Sequence, residues 1–419
     1  MNKDRLKEIM FDQKDVFNSR KHLIQRDIEL EKHIATSQVV IISGIRRCGK
    51  SSLLYLIKEK MRLIESEYCY FNFDDERIIT DIGILEDIYN LHIEVYGKEP
   101  ILFLDEIQNI DNWEKFVNRV YEQGIKIYVT GSNAKLLSSE ISTSLTGRNK
   151  LIELYPFSFS EYLRFIGSNY DLNRITPKSK SLLKKDFNHY FETGGFPLVV
   201  KENDLELINA YFQDILYRDI ISRYKITQVN EIKQIGLYFA SNIGKLFSYS
   251  TLQEISGIKS LSSIKDYLYY YEQTYLYFYL KKFDFSVKKQ IMNPKKVYTI
   301  DPAFAHRLGF NFSENKGRIL ENIVFLELLR RGKEVYYHVG KRECDFIVKE
   351  GLNIVEAIQV AYQVDINNHE REFQGLQEAM DTYKLKNGLV LIYDNEISNI
   401  PNNVGIKVLP VWEWLITRE

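Results

Sequence analysis

Cysteine is scarce: the chain has 419 residues and three cysteines, Cys48, Cys69 and Cys344. An odd, sparse set builds no disulfide framework and fits a reducing compartment. Eight prolines leave little material for long stiff or flexible linkers. No stretch reaches the ~18 uninterrupted apolar residues of a membrane span. The polar start, Met1-Asn-Lys-Asp-Arg-Leu-Lys7, lacks the apolar core of a signal peptide. We therefore expect a cytoplasmic protein with no membrane partner. An excess of one charge is also missing, with 56 Lys plus Arg against 57 Asp plus Glu. That balance argues against a chain that coats nucleic acid along its whole surface, and leaves room for a local basic patch. What is abundant is core material: 45% of residues are hydrophobic and 29 are tyrosine, enough for two or three packed domains.

The chemistry begins at residues 39–52, Val-Val-Ile-Ile-Ser-Gly-Ile-Arg-Arg-Cys-Gly-Lys-Ser-Ser. A buried strand runs into a loop of the form G-x-x-x-x-G-K-[ST], followed by the amphipathic helix of Leu53, Leu54, Leu56 and Ile57. Such a loop cradles phosphates. Its backbone N–H groups, from Gly44 through Ile45, Arg46, Arg47, Cys48 and Gly49 to Lys50, Ser51 and Ser52, wrap an anion where glycine removes the Cβ. Lys50 is expected to reach the β- and γ-phosphates and Ser51 to hold Mg2+. The helix N-terminus adds its partial positive charge. Cys48 has two readings: a small side chain that fits, or a thiol whose alkylation blocks nucleotide.

Pro100-Ile-Leu-Phe-Leu-Asp-Glu-Ile-Gln108 reads as a strand buried on both faces that ends in two acids. Asp105 is expected to bind Mg2+ and Glu106 to polarise the attacking water. The strand Ile125–Thr130 ends in Thr-Gly-Ser-Asn, so Ser132 and Asn133 are candidates to sense the γ-phosphate or orient water; the alternative is a plain turn. Arg148, ahead of a strand read over 151–157, could contact the γ-phosphate in its own or a neighbouring subunit, or be a surface arginine. The alternation of strands and helices over 39–157 implies a parallel sheet with its ligand at the carboxyl ends of the strands.

Residues 1–36 and 158–225 read as helical, the latter a lid broken sharply at Gly194-Gly-Phe-Pro197. From 228 the order of helices and strands resembles a winged helix. Its second helix begins with Lys259, Ser260, Ser262, Ser263 and Lys265, polar enough for DNA phosphates. The dense Tyr267, Tyr269, Tyr270, Tyr271, Tyr275, Tyr277 and Tyr279 favour packing or a protein interface. Further on, Glu321 on a helix and Asp345 on a strand resemble two acids of the PD-(D/E)xK nucleases. Their third element fails in this sequence: with Glu356 as the metal acid the lysine position holds Ile358. With Gln359-Val360-Ala361 in register, acid and base are both gone. Lys341 and Lys349 are neighbouring cations that could substitute.

These segments together resemble bacterial and archaeal AAA-type ATPases of a small group whose C-terminal half is a domain of unknown function. The resemblance rests on Gly44–Ser51, Leu104-Asp-Glu-Ile-Gln108, Val129-Thr-Gly-Ser-Asn133, Leu145-Thr-Gly-Arg148 and Leu154-Tyr-Pro-Phe-Ser-Phe-Ser-Glu161. It also rests on Gly194-Gly-Phe-Pro197, Tyr217-Arg-Asp219, Tyr298–Asp301, Asp345-Phe346 and Ile358-Gln-Val360. It implies ATP binding, ATP hydrolysis, and a C-terminal half with a winged helix and a nuclease-like fold.

The expected organisation is α/β throughout. A P-loop ATPase core (1–157) is followed by a helical lid (158–227), a winged-helix-like domain (228–305) and a PD-(D/E)xK-like domain without competent chemistry (306–419). The expected function is Mg2+-dependent ATP hydrolysis that moves a half engaging DNA or protein through residues 228–419, in a possible homo-oligomer. The rivals are a nucleotide-dependent binding module with negligible turnover and an ATP-gated nuclease.

Overall fold

A computed structural model of the chain describes residues 2–79, 81, 83–132, 147–168, 170, 174–309, 316–364, 369–394 and 405–417. They form two compact units, Met1–Tyr155 and Pro156–Glu419.

The first unit is built on strands β1 (Val39–Ser43), β2 (Tyr68–Asn72), β3 (Ile101–Asp105), β4 (Ile127–Gly131) and β5 (Asn149–Glu153). They lie in the order β2-β3-β4-β1-β5, and every pair is parallel. Helices α1 (Lys3–Asn18), α2 (Leu30–Ala35), α3 (Lys50–Met61), α4 (Gly83–Tyr96) and α5 (Trp113–Glu122) connect or flank them. Strand β1 is buried along its length, which is why it reads as an apolar run without alternation. Alternate strand residues, among them Val39, Ile41, Phe71, Leu104 and Val129, share one core with α1, α4 and α5. Helix α5 contributes Trp113, Phe116, Val117 and Val120, the spacing of one helical face. On the opposite face of the sheet, Tyr128 reaches Met61 of α3.

Register then sets the working edge. Asn72 lies beside Asp105, Leu104 beside Val129, and Ser43 between Gly131 and Glu153. The strand C-termini are therefore level, and the residues that follow them meet.

Two expectations are corrected in this unit. The helix read over 1–36 is two helices, because residues 19–29 leave helical geometry and carry Arg20 and Arg26 to the phosphate loop. The strand read over 151–157 is Asn149–Glu153; Pro156 has no N–H to give a ladder.

The second unit begins with α6 (Phe159–Phe165), α7 (Pro177–Thr193), α8 (Pro197–Glu202) and α9 (Leu207–Asp214), the last running into a π-helical stretch, Ile215–Ser222. The Ser158–Glu161 part of the Leu154–Glu161 motif is a capping box on α6, with reciprocal bonds between Ser158 and Glu161. Gly195 is forced by close approach: a Cβ there would sit 2.2 Å from the Phe157 carbonyl oxygen. Its N–H donates to Asp301 Oδ2 at 2.7 Å. The Gly-Gly-Phe-Pro and Asp301 signatures are thus one joint, and the helices of 158–227 pack within the second unit.

Next come α10 (Val229–Ser241), β6 (Leu246–Phe247), α11 (Tyr249–Ser256), α12 (Leu261–Gln273), β7 (Tyr277–Lys281), α13 (Val287–Met292), β8 (Lys295–Thr299) and α14 (Pro302–Leu308). The three strands form one sheet in the order β6-β8-β7. The tyrosines of this segment mostly face inward: Tyr271 of α12 donates to the Ile232 carbonyl and Tyr277 of β7 to that of Gly236, both at 2.6 Å. The rest is α15 (Lys316–Arg330), β9 (Glu334–Val339), β10 (Glu343–Glu350), β11 (Asn353–Ala361), α16 (His369–Tyr383), β12 (Gly388–Ile392), β13 (Ile406–Pro410) and α17 (Val411–Ile416). Strands β9, β10 and β11 pair antiparallel, and β11, β12 and β13 parallel, with α16 crossing from β11 to β12.

Candidate active site

The phosphate loop leaves β1 at the sheet's carboxyl edge and curls back into α3. Gly44 is required by packing, because a Cβ would lie 2.1 Å from the Leu154 carbonyl oxygen. Gly49 is required by conformation, with φ 104°. Arg26 braces the loop from behind: Nη1 donates to the Cys48 carbonyl at 3.2 Å and Nη2 to the Tyr155 carbonyl at 2.7 Å. Arg20 donates to Ser52 Oγ at 3.2 Å. The sequence reading missed both arginines, because no local pattern signals a brace between residues so far apart in the chain.

The two acids and the lysine meet at the carboxyl edge of the sheet. Lys50 Nζ lies 3.3 Å from Glu106 Oε1, with the lysine side chain 3% exposed. It also donates to the Gly44 carbonyl at 3.2 Å and the Ile45 carbonyl at 3.3 Å. Burial disfavours its charge, yet Glu106, Cys48 and Asp105 hold its pKa above the usual value. Burial likewise works against the Glu106 anion, but Lys50 and Arg46 draw its carboxyl below the usual range. The neighbouring cations thus favour the Glu106 anion. Its backbone is in the left-handed region, φ 54°, a conformation that costs a non-glycine residue free energy and collects at working sites.

Asp105 is fully buried. Burial and neighbouring Glu106 push its carboxyl up, against the hydroxyls of Ser51, Thr130 and Tyr70 that hydrogen-bond to it. Tyr70 donates to Oδ2 at 2.8 Å, and Thr130 donates to Oδ1. The Thr130 hydroxyl also accepts from the Glu106 N–H at 2.9 Å, so one side chain orients both acids. Tyr70 is itself fixed by Phe17 of α1, stacked at 3.9 Å between centroids. Thr130 and Tyr70 escaped the sequence reading because only the β2-β3-β4 pairing brings them to Asp105.

Ser132 is buried and accepts from Gln108 Nε2 at 3.4 Å, while the same amide donates to Glu106 Oε2 at 2.6 Å. Asn133 lies outside the described residues. Arg148 does not join its own chain's site. It precedes β5, and its carbonyl accepts from the Val39 N–H at the opposite edge of the sheet. A five-residue strand separates the two edges by roughly 15 Å. Its guanidinium instead donates to Asn118 and Glu122, each at 2.8 Å. The in-cis role is corrected on that ground. Cys48 is buried and burial pushes its thiol up, which favours the packing reading over a reactive thiol.

The donors fit a hard divalent cation beside the loop. Ser51 and Asp105 are adjacent hydroxyl and carboxylate oxygens, the hard oxygen donors that such a cation takes.

Residues 36–163 match the family described as an AAA domain; the first unit is thus an AAA-type P-loop domain. Residues 184–315 and 316–414 match two families described as domains of unknown function, DUF8612 and DUF4143. The chain is 35% identical to the uncharacterized protein MJ1544 of Methanocaldococcus jannaschii, over 98% of this chain and 95% of that one. It is 30% identical to an uncharacterized protein of Haemophilus influenzae, over 95% of this chain and 98% of that one. The chain belongs to the family of these proteins. Among solved structures, RuvB of Thermotoga maritima is similar at 15% identity over 59% of this chain and 85% of its own, with a TM-score of 0.30. At that score the likeness carries no argument. No helix among the described residues is long and apolar enough to cross a membrane.

Proposed function

We propose that the chain is a Mg2+-dependent ATPase whose turnover repositions its C-terminal half. The observation that carries the reading is the buried Lys50–Glu106 ion pair beside Asp105 and Ser51 at the mouth of the phosphate loop. Lys50 is satisfied by two loop carbonyls and Glu106. The β- and γ-phosphates of ATP compete for that ammonium and release Glu106. The freed carboxylate accepts a proton from a water as its oxygen attacks the γ-phosphorus, and the bond to the bridging oxygen breaks to leave ADP and phosphate. Ser51 and Asp105 would hold Mg2+, which supplies charge neutralisation at the phosphates. Ser132 and Gln108 orient Glu106, with Asn133 a further sensing candidate. Arg148 is left a role in trans, on the nucleotide of a neighbouring copy.

Arg26 supports the coupling. One guanidinium grips both the loop carbonyl of Cys48 and the carbonyl of Tyr155, so a loop that shifts on nucleotide binding pulls on the chain as it leaves the sheet.

Residues 229–299 run helix, strand, helix, helix, strand, short helix, strand, which is the order of a winged helix with α13 inserted between its last two strands, and Lys259, Ser260, Ser262 and Lys265 are exposed. This supports engagement of DNA there. The alternative is a protein partner, and the aromatic surface that favoured one is largely internal. Residues 316–410 follow the order of nuclease-like folds, but cleavage is not assigned. Gln359 stands opposite Asp345, where the nuclease pattern needs an acid.

The test is phosphate release with and without duplex DNA. Lys50→Ala is expected to abolish release, and Glu106→Gln to bind ATP without turning it over. Normal turnover by Glu106→Gln removes the assigned base. A near-background rate with tight ATP binding selects the binding-module rival. Sizing with ATP reads the oligomer that a trans Arg148 requires.

A further inference from the structure

Lys296 of β8 is buried, with its side chain 2% exposed, and three carboxylates converge on its ammonium. Glu321 Oε1 of α15 is 2.7 Å away, Glu343 Oε1 of β10 is 2.6 Å away, and Asp345 Oδ1 of β10 is 3.0 Å away. Tyr298, two residues along β8, donates to the same Glu321 oxygen. Asp345 Oδ2 accepts the Val360 N–H at 3.0 Å. Gln359 turns its amide to Glu372 at 2.8 Å. Glu321, Glu343, Asp345, Gln359 and Glu372 line one open cavity of about 660 Å³.

Three oxygens from two elements on one point is the arrangement that holds a hard divalent cation. Here the point is taken by a side chain of the same chain. The substitution has chemical consequences. A metal keeps coordination positions for water and substrate, and lowers the pKa of that water. An ammonium has three N–H donors, and Glu321, Glu343 and Asp345 use all three. It cannot polarise a water or a phosphate while it holds them.

We propose that the floor of this cavity is a divalent-cation site of the Mg2+ and Mn2+ class in which Lys296 is the resident cation. The ammonium closes the site and welds β8 to α15 and β10. Asn322 completes the weld, exchanging two hydrogen bonds with the Thr299 backbone at 2.8 and 3.0 Å. The second unit is therefore a non-cleaving module by construction, independently of whether the first unit hydrolyses ATP. Removing Lys296 leaves an unpaired set of acids that a metal ion can fill.

The experiment uses the full chain without nucleotide and Mn2+ as the probe, read by the loss of free-ion EPR signal and by thermal unfolding. Wild type is expected to bind no Mn2+ that Asp345→Asn removes. Lys296→Met and Lys296→Gln are expected to unfold at lower temperature, to bind one Mn2+ per chain, and to regain ~5 °C in saturating Mn2+. Adding Glu321→Gln to either variant should abolish binding and rescue. Three results overturn the proposal. The first is a folded Lys296 variant that takes up no more Mn2+ than wild type. The second is wild-type Mn2+ binding that Asp345→Asn eliminates. The third is failure of both Lys296 variants to fold even with Mn2+ present, because a metal must be able to replace the ammonium.

Discussion

Thr130→Val is the substitution that tests the active-site geometry most sharply. Thr130 is fully buried, donates to Asp105 and accepts the Glu106 N–H at 2.9 Å. Valine fills the same volume and makes neither bond. The lost bond to a charged carboxylate is worth about 1.5–3 kcal/mol, and a buried N–H left unsatisfied costs about 1–3 kcal/mol. Partial relaxation brings the total to about 3 kcal/mol, or about 6–12 °C in the transition of a unit this size. Activity suffers more than stability. Glu106 sits in a left-handed conformation that the Thr130 bond helps maintain, and a misplacement of ~1 Å at a catalytic group costs about 100-fold in rate. ATP affinity should change little, since Lys50 and the loop amides are untouched. Phosphate release, nucleotide titration and thermal unfolding together read these three quantities. Thr130→Ser keeps the hydroxyl and should retain most activity. Wild-type turnover and unfolding temperature in Thr130→Val would refute the assignment of Thr130 as the residue that orients both acids.

Other outcomes follow from the same geometry. Arg26→Ala removes the brace behind the loop, and about a tenfold loss of ATP affinity is expected, with a smaller loss after Arg26→Lys; unchanged affinity excludes the brace. Asp301 has its carboxyl pushed up to about 7 by burial, partly opposed by the Gly195 and Ala303 N–H groups and by Arg330. The folded state then binds that proton more tightly than the unfolded chain. The stabilisation is complete below about pH 4 and is lost as pH rises toward 7. Urea unfolding of wild type, referenced to Asp301→Asn, should show that slope, and a flat difference refutes it. All three thiols are buried and pushed up by burial. Alkylation at pH 8 should be slow until denaturant is added, and rapid labelling of Cys48 in the folded chain contradicts the packing.

The nucleotide unit was legible because its signals are local. A phosphate loop needs glycines at fixed spacing, and an acid at the end of an apolar run marks a strand's carboxyl end. Those rules point to Gly44–Ser51, Asp105 and Glu106 from short runs of adjacent residues. The second unit was legible in its element order, since helical and strand periods differ. Its meaning was less so: the Gly194-Gly-Phe-Pro197 and Asp301 signatures read only as a break and a match, and became a joint once packed. For Arg148 the sequence left its own site, a neighbouring subunit and a plain surface arginine open, because a position just before a strand does not say which edge of the sheet it occupies.

The amino-acid order by itself determined most of the strands and helices and which backbone has the glycine spacing of a phosphate loop, because those depend on neighbours a few residues apart; it did not determine the break at 19–29 or the end of β5 at Glu153. The tertiary structure alone decided which side chains complete each site. Strand order put Thr130 and Tyr70 on Asp105. The non-helical stretch 19–29 delivered Arg26 to the loop, and the packing of β8 against α15 and β10 set Lys296 among three acids. The reason is common to all three: burial leaves a charge with whatever partner the fold brings within ~3 Å, and that partner lies anywhere in the chain.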